Sequence, residues 1–358
     1  MKTVRKIAAA FYHKLCEKSY GWSVILSKLL YFHYRKDSAI NTSIQRYAAN
    51  AKGIGLSEKK LKQTLLANRA HYKITYDEYF MFRFYDLNDK GKRLFVGDYE
   101  RKELLNGIGT EKSRELFDQK DQTYEHFQKY YKRKALKVTG EGGTDRKNYI
   151  SFIESHEEFM VKALNKGCGQ GIYKVRKPDI SFNEENLYEK IKNDGGALLE
   201  EVIEQAPDLS SFHPESVNTI RIATLNNKGT ISLLFAFIRI GREKSVVDNG
   251  GAGGIIASID LETGIIDTYG ITEDMNEYLF HPDTGKQIAG YRIPRWKEAV
   301  DLAIELAGEL PEHPCVGWDL ALTREGWVMV EGNRRTMLVG PQLTRHKGCR
   351  DLVDRYFT

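Results

Sequence analysis

The sequence predicts an α+β fold, with antiparallel strand pairs in the second half and amphipathic helices set before and between them. Two observations carry this. Three stretches read as hairpins, each a run of β-branched and aromatic residues bent about a Gly-containing turn: His213 to Gly241, Ile255 to Asp267 and Val316 to Glu331. Helical periodicity marks other stretches: residues 1–36, the segment after Ser57, a charged run from Glu111, residues 184–195, and Pro294 to Leu310.

Composition sets the bounds. The chain has 358 residues, 41% hydrophobic and 29% charged, which suits two or three globular domains. No apolar run approaches the roughly 20 residues that cross a bilayer. The four cysteines (Cys16, Cys168, Cys315, Cys349) are scattered without zinc-ligand spacing, which predicts a reducing, cytoplasmic setting. Charge is uneven: residues 1–150 hold 31 Lys+Arg against 17 Asp+Glu, while the whole chain is only +5. A basic front half suits nucleic acid, an anionic membrane surface or an acidic substrate. No nucleic-acid-binding signature accompanies it, so nucleic acid ranks last.

Within residues 1–36, Trp22, Ile25, Leu26, Leu29, Leu30 and Phe32 mark an apolar stripe with Lys28, Arg35 and Lys36 nearby. The stripe packs within its own domain, or else lies on a membrane surface at the inner face. Ser57 is the expected N-cap of the next helix. The aromatic-rich segment Ile74 to Leu87 is expected core. A charged helix from Glu111 carries Lys120 at its middle and runs into a strand at Ala135 to Val138. Thr139 to Lys147 is Gly-rich and charged, and reads as a surface loop.

Two strands, Phe159 to Leu164 and Ile172 to Val175, flank Lys166-Gly167-Cys168-Gly169-Gln170-Gly171. Glycines at that density let the backbone approach a ligand, and exposed N–H groups favour an anion. Lys162 points from the first strand toward the same region. A plain Gly-rich turn is the competing reading. The strand Ala197 to Ile203 ends in acids, and its free backbone suits the edge of a purine, with Glu200 accepting from the amino group. Arg221 lies within a strand and needs an anionic partner.

The hairpin Cys315 to Asn333 places Asp319 and Glu331 six residues either side of Glu325. A symmetric hairpin then pairs them directly, with Cβ atoms about 5 Å apart. Asn333 joins the same face. Two carboxylates and a carboxamide in one patch are hard oxygen donors suited to Mg²⁺ that also holds phosphate. A solvated hairpin with no ligand is the alternative.

The order of these parts resembles the ATP-grasp superfamily. VNTIRI, GGAGGIIASID and VGWDLALT…VEGN are similar to the sugar-transfer-associated ATP-grasp proteins, relatives of α-L-glutamate ligases. The resemblance runs from about Glu111 to the end. It implies two α+β subdomains that clamp ATP, here residues 111–203 and 204–358, behind a helical or mixed region 1–110. It assigns Lys120 and Lys162 to the phosphates, and Gly167, Gly169 and Gly171 to a lid. Glu200, Glu201, Val202 and Ile203 become the adenine hinge, with Asp208 at the ribose. Arg221, Lys162 and Asn249 fall at the reacting centre, and Asp319, Glu331 and Asn333 become Mg²⁺ ligands. After Asn333 the sequence departs from the ligase pattern, with Arg334 and Arg335 as candidates for gripping an acceptor carboxylate.

The chemistry implied is ATP-dependent joining of a carboxylate to an amine through an acylphosphate. The substrates would be an amino acid or sugar acid in cell-surface polysaccharide synthesis, alongside membrane-associated glycan-assembly enzymes. The alternatives are phosphoryl transfer to a hydroxyl, or a non-catalytic nucleotide-binding partner of a glycosyltransferase.

Overall fold

The structure, a computed structural model, describes residues 14–34, 37–165, 170–177, 183–248 and 250–357. Its contacts divide the chain into two units. The first comprises residues up to 107 together with 274–276 and from 337 on; the second comprises 108–273 and 277–336.

The first unit is helical. Ser57 caps the helix Glu58–Tyr72 by accepting the Lys60 N–H, as its position in the sequence suggests. Thr75 and Glu78 form a reciprocal capping box at the start of Tyr76–Met81. The Glu78 carboxylate also accepts the Asp98 N–H at 3.1 Å, and burial pushes it up to about 7. The aromatic segment forms the core: Tyr47 stacks on Phe80 at 5.0 Å and Phe82 on Phe95 at 4.8 Å. The C-terminal residues are tied to this core. Gln342 exchanges hydrogen bonds with the Val96 backbone, and Arg350 grips Glu100 with two. The tail from residue 337 therefore groups with the N-terminal helices, although its sequence continues the last hairpin.

The second unit holds two antiparallel sheets. The smaller contains β1 (Ala135–Val138), β2 (Glu158–Ala163), β3 (Ile172–Arg176) and β4 (Ala197–Glu201), in the order β1-β4-β2-β3. Strand alternation sorts its residues. Phe159, Val161, Leu199 and Val138 face the helices Gly143–Ser155 and Glu184–Asn193 and form one core. Lys162, Met160 and Glu200 occupy the other face. Gly143 to Lys147, expected as loop, already belongs to the first of these helices.

The larger sheet contains β5 (Thr219–Asn227), β6 (Thr230–Ile240), β7 (Ile255–Ile259), β8 (Gly270–Ile271), β9 (Glu277–Tyr278), β10 (Cys315–Thr323) and β11 (Gly326–Asn333). Their order is β11-β10-β5-β6-β7-β8-β9. One face carries Ile220, Ile222, Ile238, Ala257, Leu320 and Trp318 against the helix Trp296–Glu309. Trp318 is fully buried and donates its indole N–H to Thr224 Oγ1 at 2.9 Å, which satisfies its polar handle. Because the period is two, Thr219, Arg221, Arg239, Asp319 and Glu331 all fall on the opposite face.

The run from Glu111 is two helices rather than one. Glu111–Asp118 ends at extended Gln119, and Lys120–Tyr131 begins there, so Lys120 opens a helix instead of sitting mid-helix.

Candidate active site

The site is built on the hairpin β10–β11. Asp319 stands opposite Glu331, as the symmetric count requires, but the route differs. The turn has only two residues, Arg324 and Glu325, with Thr323 paired to Gly326, and Gly326 takes φ +139°. A bulge then leaves Val330 unpaired and brings Glu331 to Asp319.

Asp319 is fully buried and saturated by cations. Arg221, its neighbour across β5, donates Nε and Nη2 to the two carboxylate oxygens, both at 2.6 Å. Arg239, from β6, adds a third bond at 2.7 Å, and Asn333 Nδ2 donates at 3.3 Å. Burial alone would raise the Asp319 carboxyl, but the two guanidinium charges overcome it and hold it low. Arg239 is fixed in turn. It donates to Thr219 Oγ1 at 2.8 and 3.0 Å and lies 3.5 Å from Asp248, whose carboxylate accepts the Thr219 N–H at 2.9 Å.

Glu331 differs from Asp319. Part of its surface stays open to solvent, and among the described residues its carboxylate accepts no hydrogen bond. The protein around it and the Asp319 charge opposite push its carboxyl above the usual range, against the pull of Arg221, Lys162 and Arg239.

The smaller sheet supplies the other wall. Lys162 lies diagonally across from Glu200, because Lys162 pairs with Leu198 on β4, and donates to its carboxylate at 2.8 Å. Arg133 grips the same oxygen of Glu200 at 2.9 and 2.7 Å. It also donates to the Met329 carbonyl at 2.7 Å, next to the Val330 bulge. One buried guanidinium thus joins the lysine sheet to the acid strand. Lys120 caps the end of β2, donating to the Ala163 carbonyl at 2.9 Å. Burial and the Lys162 charge hold its ammonium below the usual range, while Glu331 and Glu200 pull the other way.

The structure therefore brings together Lys120, Lys162, Glu200, Arg221, Asp319, Glu331 and Asn333. It gives Glu200 a different task from the one expected, since its carboxylate serves Lys162 and Arg133 rather than standing free for a base. In the hinge, the Glu201 N–H is spent on the Lys134 carbonyl. The backbones of Val202 and Ile203 make no hydrogen bond to a described residue. Asp208 is exposed on the short helix Pro207–Ser210, and its carboxylate makes no contact with these residues. Arg334 is buried and committed to Asp118 by two bonds, of 2.7 and 2.5 Å; Arg335 stays exposed. Gly171 turns with φ +70° beside β3. Gly167, Gly169, Asn249 and Cys168 lie outside the described residues.

Three site residues escaped the sequence reading: Arg239, Asp248 and Arg133. Arg239 had a signal, being a second arginine inside an apolar strand. Arg133 is the middle of three consecutive basic residues, Lys132 to Lys134, and nothing local marks it as the buried one.

A family model for sugar-transfer associated ATP-grasp matches residues 109–355. The chain belongs to this ATP-grasp family. The α+β architecture over the matched residues is that of an ATP-grasp protein, and a helical region precedes it. Solved structures similar to it include a D-alanine–D-alanine ligase from Bacillus anthracis, at 12% identity and TM-score 0.43, covering 72% of this chain and 74% of that one. An L-amino acid ligase from Bacillus licheniformis aligns at 12% identity and TM-score 0.42, covering 72% and 52%. D-alanyl-alanine synthetase A from Vibrio cholerae O1 aligns at 12% and 0.39, covering 68% of this chain and 61% of that one. The chain thus spans under two thirds of the length of two of these relatives. No curated protein matches it. No helix among the described residues of this ATP-grasp chain is long and apolar enough to cross a membrane.

The oxygen donors fit a divalent cation that arrives with phosphate. Among the described residues no three His, Cys, Asp or Glu side chains cluster for a metal, so a bare ion finds two carboxylates and an amide. Arg221 and Arg239 already pair with Asp319, so its charge is compensated before any ion arrives. A naked Mg²⁺ therefore gains little, whereas a polyphosphate supplies the missing anionic oxygens.

Proposed function

We propose that the protein is an ATP-dependent carboxylate–amine ligase. One observation carries the reading. Lys162 and Lys120 on one wall face the charges of Glu331 and its partners on the other, within one folded unit. Such a pair of walls suits a polyanion lying between them.

In this reading Lys120 and Lys162 neutralise the β- and γ-phosphates, and the backbone around Gly171 covers them. Val202 and Ile203 offer free backbone groups to the base. Glu331, with the Asn333 carbonyl and Asp319, would hold Mg²⁺, which supplies charge neutralisation on the phosphate oxygens when bound. Arg221 and Arg239 exchange part of their hold on Asp319 for the transferring phosphoryl group. A substrate carboxylate oxygen then attacks the γ-phosphorus and ADP leaves. An amine attacks the resulting acylphosphate carbon and phosphate leaves, forming the amide. The substrates fall in the class of amino acids or sugar acids, and the setting is cytoplasmic assembly of surface polysaccharide beside membrane-bound glycan enzymes.

A second reading, phosphoryl transfer to a hydroxyl, draws on Arg334. That side chain is spent on Asp118 and cannot grip an acceptor carboxylate. The test is ATP turnover with Mg²⁺, screened against amino acids and uronic acids, following both ADP and amide. A ligase turns over ATP only with a carboxylate, and yields amide once an amine is added. Lys162→Ala and Asp319→Asn are expected to lose at least about 100-fold in turnover. Full activity in both variants would remove the site from consideration.

A further inference from the structure

The first unit carries a helix with an apolar stripe that its own core does not cover. Along Tyr20–Tyr34 the most deeply buried side chains are serines: Ser23 is 0% and Ser27 1% exposed. Ser27 donates to the Val24 carbonyl and Ser23 to the Cys16 carbonyl, so both hydroxyls are satisfied inside. Val24, Leu26 and Leu30 are half-buried, but three large apolar side chains face out: Trp22 is 48%, Ile25 49% and Leu29 70% exposed. Their spacing of three and four residues puts them on one stripe. A helix that buries serine and exposes tryptophan, isoleucine and leucine is positioned to cover its stripe with something else.

The surrounding charge says what that is. Lys28 borders the stripe, Lys14 and Lys18 precede it, and all three are exposed. Across residues 1–36 there are eight Lys+Arg and one acidic residue, Glu17, which is itself paired with Lys73 at 3.1 Å. Two copies of a segment this basic repel each other. The exposed stripe also offers no amide, hydroxyl or carboxylate with which to read a protein partner.

We propose that this helix is a docking face for an anionic lipid bilayer, lying in the plane of the headgroups. Trp22, Ile25 and Leu29 insert at the acyl boundary, and the lysines reach the phosphates alongside. At about 1.5 Å per residue, its 15 residues cover about 22 Å of surface. It lies on the membrane rather than across it, being too short to span.

The test uses the full chain and sealed vesicles in a flotation assay, with phosphatidylcholine alone or with about a third phosphatidylglycerol. The expected result is binding to the anionic vesicles only, weakening several-fold as salt rises from low to physiological. Lys18→Gln and Lys28→Gln should each lower partitioning about fivefold, and Ile25→Asp with Leu29→Asp should abolish it. Independently of variant folding, Trp22 fluorescence should shift to the blue and be quenched by brominated lipid, a signal absent in Trp22→Phe. Four results would overturn the proposal. These are no vesicle binding, equal binding to neutral vesicles, binding that survives Ile25→Asp with Leu29→Asp, or a concentration-dependent dimer that forms through this stripe without lipid.

Discussion

Arg133 offers the sharpest stability test. The side chains of Arg133 and Glu200 are 5% and 3% exposed, so solvent screening is small. Arg133 makes two bonds to Glu200 and one to the Met329 carbonyl, all between 2.7 and 2.9 Å. In Arg133→Met, Glu200 keeps only Lys162 at 2.8 Å. Removing one partner of a buried pair costs about 3–5 kcal/mol, and the remaining lysine places this variant near about 3. Arg133→Lys can keep one contact but not the fork, and should recover about 1 kcal/mol.

The pH dependence has a definite sign. Burial raises the Glu200 carboxyl, but Lys162 and Arg133 more than offset this and leave it below its ordinary value. Its contribution is therefore present above the unfolded value, near about 4.3, and is lost as pH falls through the folded one. Without Arg133 the folded value rises, so acid destabilisation starts at higher pH. Urea unfolding followed by tryptophan fluorescence, with Trp318 in the core of the same unit, reads both effects at pH 7 and pH 4. A loss under about 1 kcal/mol, or an unmoved acid limb, would refute the reasoning.

Two further expectations concern the acid strand. Glu331→Gln should raise stability at pH 7, because enclosure and Asp319 already disfavour its charge. The gain should disappear as the pH falls below about 4.3, where wild-type Glu331 is protonated in both states, while ATP turnover with Mg²⁺ drops at least about 100-fold. Thermal melts across pH and an ADP-release assay check the two halves. Gly332→Ala would place a Cβ 2.6 Å from Phe117 and 3.1 Å from Trp318. It should cost about 1–3 kcal/mol in urea unfolding, with activity falling as Glu331 and Asn333 shift.

Much of this was legible in the sequence because strands obey a period of two. A symmetric hairpin centred on Glu325 sets Asp319, Glu331 and Asn333 on one face, although the true turn reaches that register only through the bulge at Val330. Lys162 could be placed because it precedes a Gly-rich turn on a clear strand. The rest needed the third dimension. Arg133 hides among exposed lysines, and its partners lie 67 and 196 residues away. Glu200 looked like a free strand end because neither cation that holds it is near in sequence. The sequence places Lys120 mid-helix, because nothing at Gln119 announces a break. Arg334 drew attention by following Asn333, yet the helix ending at Asp118 claims it.

The hairpin holds one last consequence. Counting back from its tip along an unbroken ladder, Val330 would stand opposite Asp319 and Glu331 opposite Trp318, turned into the oily side of the sheet. The tip and the base of the hairpin are thus out of phase by one residue, and the turn does not decide which side the acid faces. That decision is made from another strand's entrance, where Arg133 holds the Met329 carbonyl beside the slipped residue. The loop at Arg324 and Glu325 is therefore free to drift in sequence, while the aim of Glu331 depends on a side chain nearly two hundred positions away.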